Sequence, residues 1–169
     1  MKTPLAAIDL LIEPSWIAAV DPDVVLKNHS VAVHAGRIIA VLPTAEARNR
    51  FNPGKLVVLE DHLLIPGLVN LHTHAAMSLM RGLADDLPLM DWLQKYIWPA
   101  ESANVSPQFV HDGTRLACTE MLLGGVTCFN DMYFFAEGAV EAATQAGMRI
   151  AAALSPSTEP KLPWPSTSM

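Results

Sequence analysis

Two histidines separated by one residue, His72 and His74, have the side chains and spacing to bind a metal ion. They follow an apolar run at residues 64–71 (LIPGLVNL), typical of a strand buried on both faces of a parallel sheet. Side chains alternate along a strand, so the two imidazoles are expected on one face, one pleat apart, at the end of the strand. Neutral imidazoles suit Zn²⁺. The alternative is two polar residues at a strand end that bind nothing.

The elements that would hold this pair follow it in the sequence. We predict a helix that Ser106-Pro107 begins and Gly124-Gly125 ends, and a second strand over residues 126–132. A helix over residues 137–146 and a third strand over residues 149–154 come next. The order strand, helix, strand, helix, strand indicates right-handed βαβ units with a parallel sheet, an α/β fold.

Between the first strand and these units, the pattern predicts two further helices. Residues 75–81 are predicted as a short helix. Residues 89–97 carry apolar side chains at helical spacing, and Pro99 is expected to end that helix. Asp131 lies at the end of the second strand.

The pattern of residues 1–62 predicts a portion of a small β-sandwich, ahead of the strand that carries the two histidines. One or two short strands are expected in residues 5–20, a hairpin in 30–42 and another strand in 56–59, with one helical turn in 45–51. Ala35-Gly36 supplies the turn of the hairpin.

Several stretches together resemble the amidohydrolase superfamily, in its adenosine- and triazine-type deaminase and chlorohydrolase branch. The motif of the first barrel strand is similar to residues 66–74 (PGLVNLHTH), and the N-terminal hairpin to residues 31–41 (VAVHAGRIIAV). Residues 98–101 (WPAE) and 124–133 (GGVTCFNDMY) follow the pattern of the branch beyond the metal motif. The resemblance covers about residues 5–154.

This resemblance implies a small β-sandwich domain followed by a metal-dependent (β/α)8 barrel. Residues 63–154 would supply the first three βα units of the barrel. A complete barrel typically needs about 250 residues. We therefore expect the barrel to be incomplete in this chain of 169 residues.

The implied activity is hydrolytic deamination of adenosine-type nucleosides with release of ammonia, with one Zn²⁺ in each full-length subunit. The resemblance assigns His72 and His74 as metal ligands. In the family, further histidines and an aspartate come from later strands, as do the acid and base carboxylates. It therefore carries no catalytic acid or base over to this chain. The resemblance assigns Asp131 no ligand role either, and we interpret this residue as a hydrogen-bonding scaffold residue.

Glu101 is the substrate-binding residue that the resemblance implies. Adenosine-type members place a glutamate at this position, where it binds the ribose hydroxyls; a carboxylate has the acceptors for two such donors. An ordinary exposed glutamate after a helix is the alternative. Other readings of the function are a guanine deaminase or triazine-type hydrolase of the same branch, or an inactive truncated fragment.

Composition limits the remaining choices. The net charge of -6 argues against a nucleic-acid partner, and no apolar stretch is long enough to span a membrane. No secretory signal peptide is recognised, so a cytoplasmic location is expected. The resemblance implies a small purine nucleoside as partner, and a homo-oligomer is left open. The two cysteines, Cys118 and Cys128, are expected to be buried free thiols.

The last stretch, residues 155–169, is rich in Pro, Ser and Thr and shows no helix or strand period. We interpret it as a tail that does not belong to the family fold. A frameshift, an engineered addition and a natural C-terminus all stay open.

Overall fold

A computed structural model describes residues 5–153 of the chain. The chain divides into two compact units, Met1–Pro66 and Gly67–Met169. Among the described residues, no helix is long and apolar enough to cross a membrane. The predicted tail, residues 155–169, lies outside the described part.

The first unit is built on one five-stranded sheet with a short helix. Strand β1 is central: β3 and β2 pair with it antiparallel, β5 pairs with it parallel, and β4 pairs antiparallel with β3. The apolar core includes Ile8, Leu11 and Phe51 with Ala47 of the helix. The elements are β1 (Ala6–Ala18), β2 (Val25–Lys27), β3 (His29–His34), β4 (Arg37–Pro43), α1 (Thr44–Arg50) and β5 (Phe51–Leu64).

The hairpin predicted for residues 30–42 is confirmed. Strands β3 and β4 pair antiparallel and are joined by Ala35 and Gly36, which both have positive φ, at 49° and 71°. Two residues of positive φ give this turn the twist of its flanking strands. Glycine is favoured in such a turn because it adopts a positive φ without steric cost. The single helical turn expected in residues 45–51 is also present, as α1.

The other strands of this unit are longer than predicted. One strand, β1 (Ala6–Ala18), takes the place of the one or two short strands expected in residues 5–20, and the strand expected at residues 56–59 is part of the 14-residue β5. Pro14 does not interrupt β1, because it lies between the residues that pair with β3 and those that pair with β2. A missing N–H there removes no ladder bond on that side, and the register with β5 shifts next to it. The described residues of this unit form one sheet with α1. That this sheet is a portion of a β-sandwich stays a prediction.

The second unit contains the predicted parallel sheet. Its strand order is β6-β7-β8, and both pairings are parallel, as expected for consecutive βαβ units. Phe129 of β7 is fully buried with Cys118 and Ala143 of the two crossover helices. The elements are β6 (Leu68–Thr73), a 3-10 helix (Ala75–Met80), α2 (Leu89–Trp92), a π-helical turn (Leu93–Ile97), α3 (Trp98–Asn104), α4 (Pro107–Leu123), β7 (Val126–Asp131), α5 (Ala136–Gln145) and β8 (Arg149–Ala152).

Helix α4 begins and ends where its sequence signals predict. The hydroxyl of Ser106 accepts a hydrogen bond from the backbone N–H of Phe109 at 3.2 Å, as an N-cap does. Gly124 follows the last helical residue, and Gly125 takes a positive φ of 81° that turns the chain into β7.

The prediction that Pro99 ends the second helix is wrong. The chain continues helically to Asn104, through the π-helical turn and then α3. Pro99 lies in the first turn of α3, a position where proline is tolerated because its missing N–H costs no hydrogen bond within that helix. The wider turn before it is closed by the N–H of Trp98, which donates to the carbonyl of Leu93, five residues back.

Candidate functional site

The two histidines meet at the carboxyl end of β6. His72 is next to last in this strand, and His74 follows Thr73, its last residue. The centroids of the two imidazole rings are 5.1 Å apart, with the rings nearly perpendicular. The predicted juxtaposition at the strand end is therefore confirmed, and metal binding by the pair stays a prediction.

The ring of His74 is oriented by a backbone carbonyl. Its Nδ1 lies 2.6 Å from the carbonyl oxygen of Met132, just past the end of β7. A carbonyl only accepts, so in the neutral imidazole Nδ1 carries the proton and Nε2 keeps its lone pair. A histidine held in this way presents Nε2 to a metal ion.

Asp131 holds the backbone on both sides of His74. Its Oδ1 accepts hydrogen bonds at 2.7 Å from the hydroxyl of Thr73 and at 2.7 Å from the backbone N–H of Ala75. The residue is only 2% exposed. The interpretation of Asp131 as a hydrogen-bonding scaffold is confirmed.

The 3-10 helix that follows His74 is fixed against α4. Ser78 donates through its hydroxyl to the carbonyl of Gly113 at 2.8 Å, and a Cβ added at Gly113 would collide with the backbone of Ala76. Arg81 forms a bidentate ion pair with Glu120, in which Nη1 donates to Oε1 at 2.9 Å and Nη2 donates to Oε2 at 2.6 Å. These contacts with α4 therefore fix the position of the segment that follows His74.

Glu101 is buried in α3, which rules out the exposed-glutamate alternative. It is 7% exposed, and its Oε1 accepts a hydrogen bond at 2.7 Å from the hydroxyl of Tyr133, which is 8% exposed. Burial raises the pKa of Tyr133, and the hydrogen bond and negative charge of Glu101 and the charge of Asp131 raise it further. The hydroxyl of Tyr133 therefore stays protonated and remains a donor.

Tyr133 lies near both His74 and Glu101, which the sequence placed in the metal-binding and the substrate-binding part of the site. Its ring centroid is 6.2 Å from that of His74, while its hydroxyl bonds Glu101. No role for this residue was predicted from the sequence. Its position two residues after Asp131, just beyond the carboxyl end of a parallel strand, is the signal that could have singled it out.

Within residues 5–153, no group of three or more His, Cys, Asp or Glu side chains is arranged to hold a metal ion. Two imidazoles are the right donors for zinc, but a zinc site usually has three or four protein ligands. The described residues therefore fit part of a zinc site.

The family model for the amidohydrolase family matches residues 63–163, more than half of the chain. The chain therefore belongs to the amidohydrolase family. The match reaches into residues 155–163, which the composition assigned to a separate tail.

Two similar proteins, both named as deaminases, align with most of this chain. A 5-methylthioadenosine/S-adenosylhomocysteine deaminase from Saccharophagus degradans is 52% identical over 149 residues, which are 88% of this chain and 33% of that protein. The structure of an adenosine deaminase from Xanthomonas campestris with bound zinc is 54% identical with a TM-score of 0.85, covering 87% of this chain and 34% of that one.

A more distant structure, a triazine hydrolase from Arthobacter aurescens, is 21% identical with a TM-score of 0.73 and covers 85% of this chain and 34% of that one. At this identity the likeness concerns the fold alone. This chain spans about a third of the length of each of these three proteins.

Proposed function

We propose that this chain is the N-terminal part of a zinc-dependent deaminase that releases ammonia from adenosine-type nucleosides of the 5-methylthioadenosine/S-adenosylhomocysteine class. The observation that carries the proposal is the meeting of His72 and His74 at the carboxyl end of β6. Active sites of (β/α)8 barrels lie at this end of the strands. The 52% identity with a relative of that name supports the choice of substrate.

In this proposal, His72 and His74 hold the zinc ion, together with ligands from polypeptide beyond the described residues. Zinc, when bound, supplies a strong nucleophile at neutral pH by lowering the pKa of water. The chain's own part is to present the imidazoles. Met132 fixes the tautomer of His74, and Asp131 fixes the backbone on either side of it.

Glu101 would bind the sugar of the substrate. Its Oε1 is engaged by Tyr133, while the carboxylate as a whole can accept further hydrogen bonds from hydroxyl groups. Because Glu101 is buried, such a bond would form in a site of low polarity, where it is stronger than in water. This favours a nucleoside over a free base.

We also propose that β6, β7 and β8 are the first three strands of a (β/α)8 barrel. Parallel sheets are normally covered on both faces, yet three apolar side chains of β6 are exposed among the described residues. These are Leu68 at 49%, Val69 at 55% and Leu71 at 75%. Further strands and helices of the barrel would cover them.

The test is an ammonia-release assay on a completed enzyme, in which residues 5–153 of this chain replace the aligned third of the Saccharophagus degradans relative. The assay offers 5-methylthioadenosine, S-adenosylhomocysteine, guanine and a chlorotriazine. We expect ammonia from the two nucleosides, and loss of that activity in His72→Asn and His74→Asn variants. Activity confined to guanine or to dechlorination of the triazine would contradict the proposal.

A further inference from the structure

The hydrogen bond between Tyr133 and Glu101 joins two side chains that are far apart in the sequence and both buried. The donor and acceptor oxygens are 2.7 Å apart, and the residues are separated by 32 positions. A hydrogen bond to a charged group in a buried setting is stronger than one between neutral groups. It therefore constrains the direction in which the carboxylate points.

Tyr133 is itself held firmly. It belongs to a buried apolar cluster with Ala76, Val110 and Ala139, which lie in the 3-10 helix, α4 and α5. Its ring also makes an edge contact with Phe134 at a centroid distance of 5.1 Å. The hydroxyl therefore has a fixed position relative to the end of β7.

We propose that Tyr133 is a positioning residue that orients the Glu101 carboxylate toward the sugar of the substrate, and so contributes to selection of nucleosides. This inference rests on the proposed function. Because Tyr133 bonds Oε1, the other oxygen, Oε2, is the acceptor left for a sugar hydroxyl. A carboxylate without this constraint would rotate, and each rotation would misplace the acceptor.

The kinetic test compares Tyr133→Phe with Tyr96→Phe in the completed enzyme. Phenylalanine keeps the buried ring and removes only the hydroxyl, and Tyr96, the other tyrosine of the chain, is 42% exposed. We expect Tyr133→Phe to raise KM for 5-methylthioadenosine about tenfold, as for a lost hydrogen bond to a charged group, with kcat little changed. Tyr96→Phe should leave KM unchanged.

A double variant separates positioning from general damage. In a Glu101→Gln background, Tyr133→Phe should add little to KM, because the group that it positions has already lost its charge. Equal effects in both backgrounds would show that Tyr133 acts independently of Glu101, and would overturn the inference.

A second measurement uses the 169-residue chain itself. Hydrogen exchange of the backbone amides of α3 (Trp98–Asn104) should quicken in Tyr133→Phe and stay unchanged in Tyr96→Phe. If the unmodified completed enzyme releases no ammonia from nucleosides, the proposed function fails, and exchange still decides whether Tyr133 holds Glu101. If that enzyme is active but Tyr133→Phe changes neither KM nor exchange, the inference alone fails.

Discussion

The Oδ1 atom of Asp131 lies 2.7 Å from the backbone nitrogen of Ala75, the residue that follows His74. The same oxygen is 2.7 Å from the hydroxyl of Thr73, the residue that precedes it. One buried carboxylate at the end of β7 thus fixes the residues on both sides of His74, a proposed metal ligand just past the end of β6.

Replacing Asp131 tests this arrangement. Asp131→Ala leaves the buried backbone N–H of Ala75 without its acceptor and removes one of the two acceptors of the Thr73 hydroxyl, the other being the carbonyl of Asn130. We therefore expect the free energy of unfolding to fall by about 2 kcal/mol. Asp131→Asn keeps an oxygen acceptor and should lose less. Urea denaturation of the 169-residue chain measures both, and equal stability of Asp131→Ala and the unmodified chain would refute the scaffold role.

Gly113 tests the close packing of α4 against the 3-10 helix. A Cβ at this position would collide with the carbonyl and Cα of Ala76, so Gly113→Ala should lower stability by about 1–3 kcal/mol. Gly124→Ala is the matched control, because its Cβ would meet its neighbours at ordinary distances of 3.4 and 3.5 Å. Its effect should stay within about 0.5 kcal/mol.

The two variants are compared by thermal or urea unfolding. Displacement of the 3-10 helix should also move His74, so Gly113→Ala should weaken zinc retention in the completed enzyme, whereas Gly124→Ala should not. A stable Gly113→Ala chain that retains zinc normally would show that α4 does not set the position of this histidine.

The two thiols should differ in reactivity. Burial raises the pKa of Cys118, and the charge of Asp131 raises it further, so this thiol stays protonated at pH 8. Only the thiolate reacts rapidly. Cys128 is half-buried, whereas both thiols were predicted to be buried.

We therefore expect one fast-reacting thiol with a disulfide reagent at pH 8, and a second that reacts only in denaturant. In Cys128→Ser, the fast phase should vanish, because Cys118 is then the remaining thiol. A fast phase that persists in Cys128→Ser would place Cys118 at the surface and contradict the packing around Phe129.

Glu101→Gln tests whether the buried carboxylate binds the sugar. In the completed enzyme, KM for 5-methylthioadenosine should rise about tenfold or more, as expected when a hydrogen bond to a charged group is weakened. KM for a ribose-free adenine analogue should change little. Equal increases for both substrates would show that Glu101 does not contact the sugar.

The parts of this structure that could be predicted from the sequence are those with local signals. Ser106 marks the start of α4 through its own side chain, and Ala35-Gly36 forms a hairpin turn that needs no distant contact. The spacing of His72 and His74 at the end of an apolar run is likewise sufficient to bring the rings together.

The remainder depends on contacts between distant residues. Proline usually ends a helix, but Pro99 lies at the first turn of α3, after a π-helical turn that no simple period indicates. The hydrogen-bond donor to the buried Glu101 is Tyr133, which is 32 positions away. The acceptor for Nδ1 of His74 is the carbonyl of Met132, the residue after β7. Such pairings arise only when the sheet assembles.

Zinc content measured together with ammonia release tests the central claim most directly. The measurement compares the 169-residue chain, purified as a monomer, with the completed enzyme, using 5-methylthioadenosine as substrate. Because the described residues bring two imidazoles together, we expect little zinc and no ammonia from the chain alone. The completed enzyme should hold one zinc ion and release ammonia. Stoichiometric zinc with metal-dependent turnover in the 169-residue chain, or a completed enzyme without either, would contradict the account.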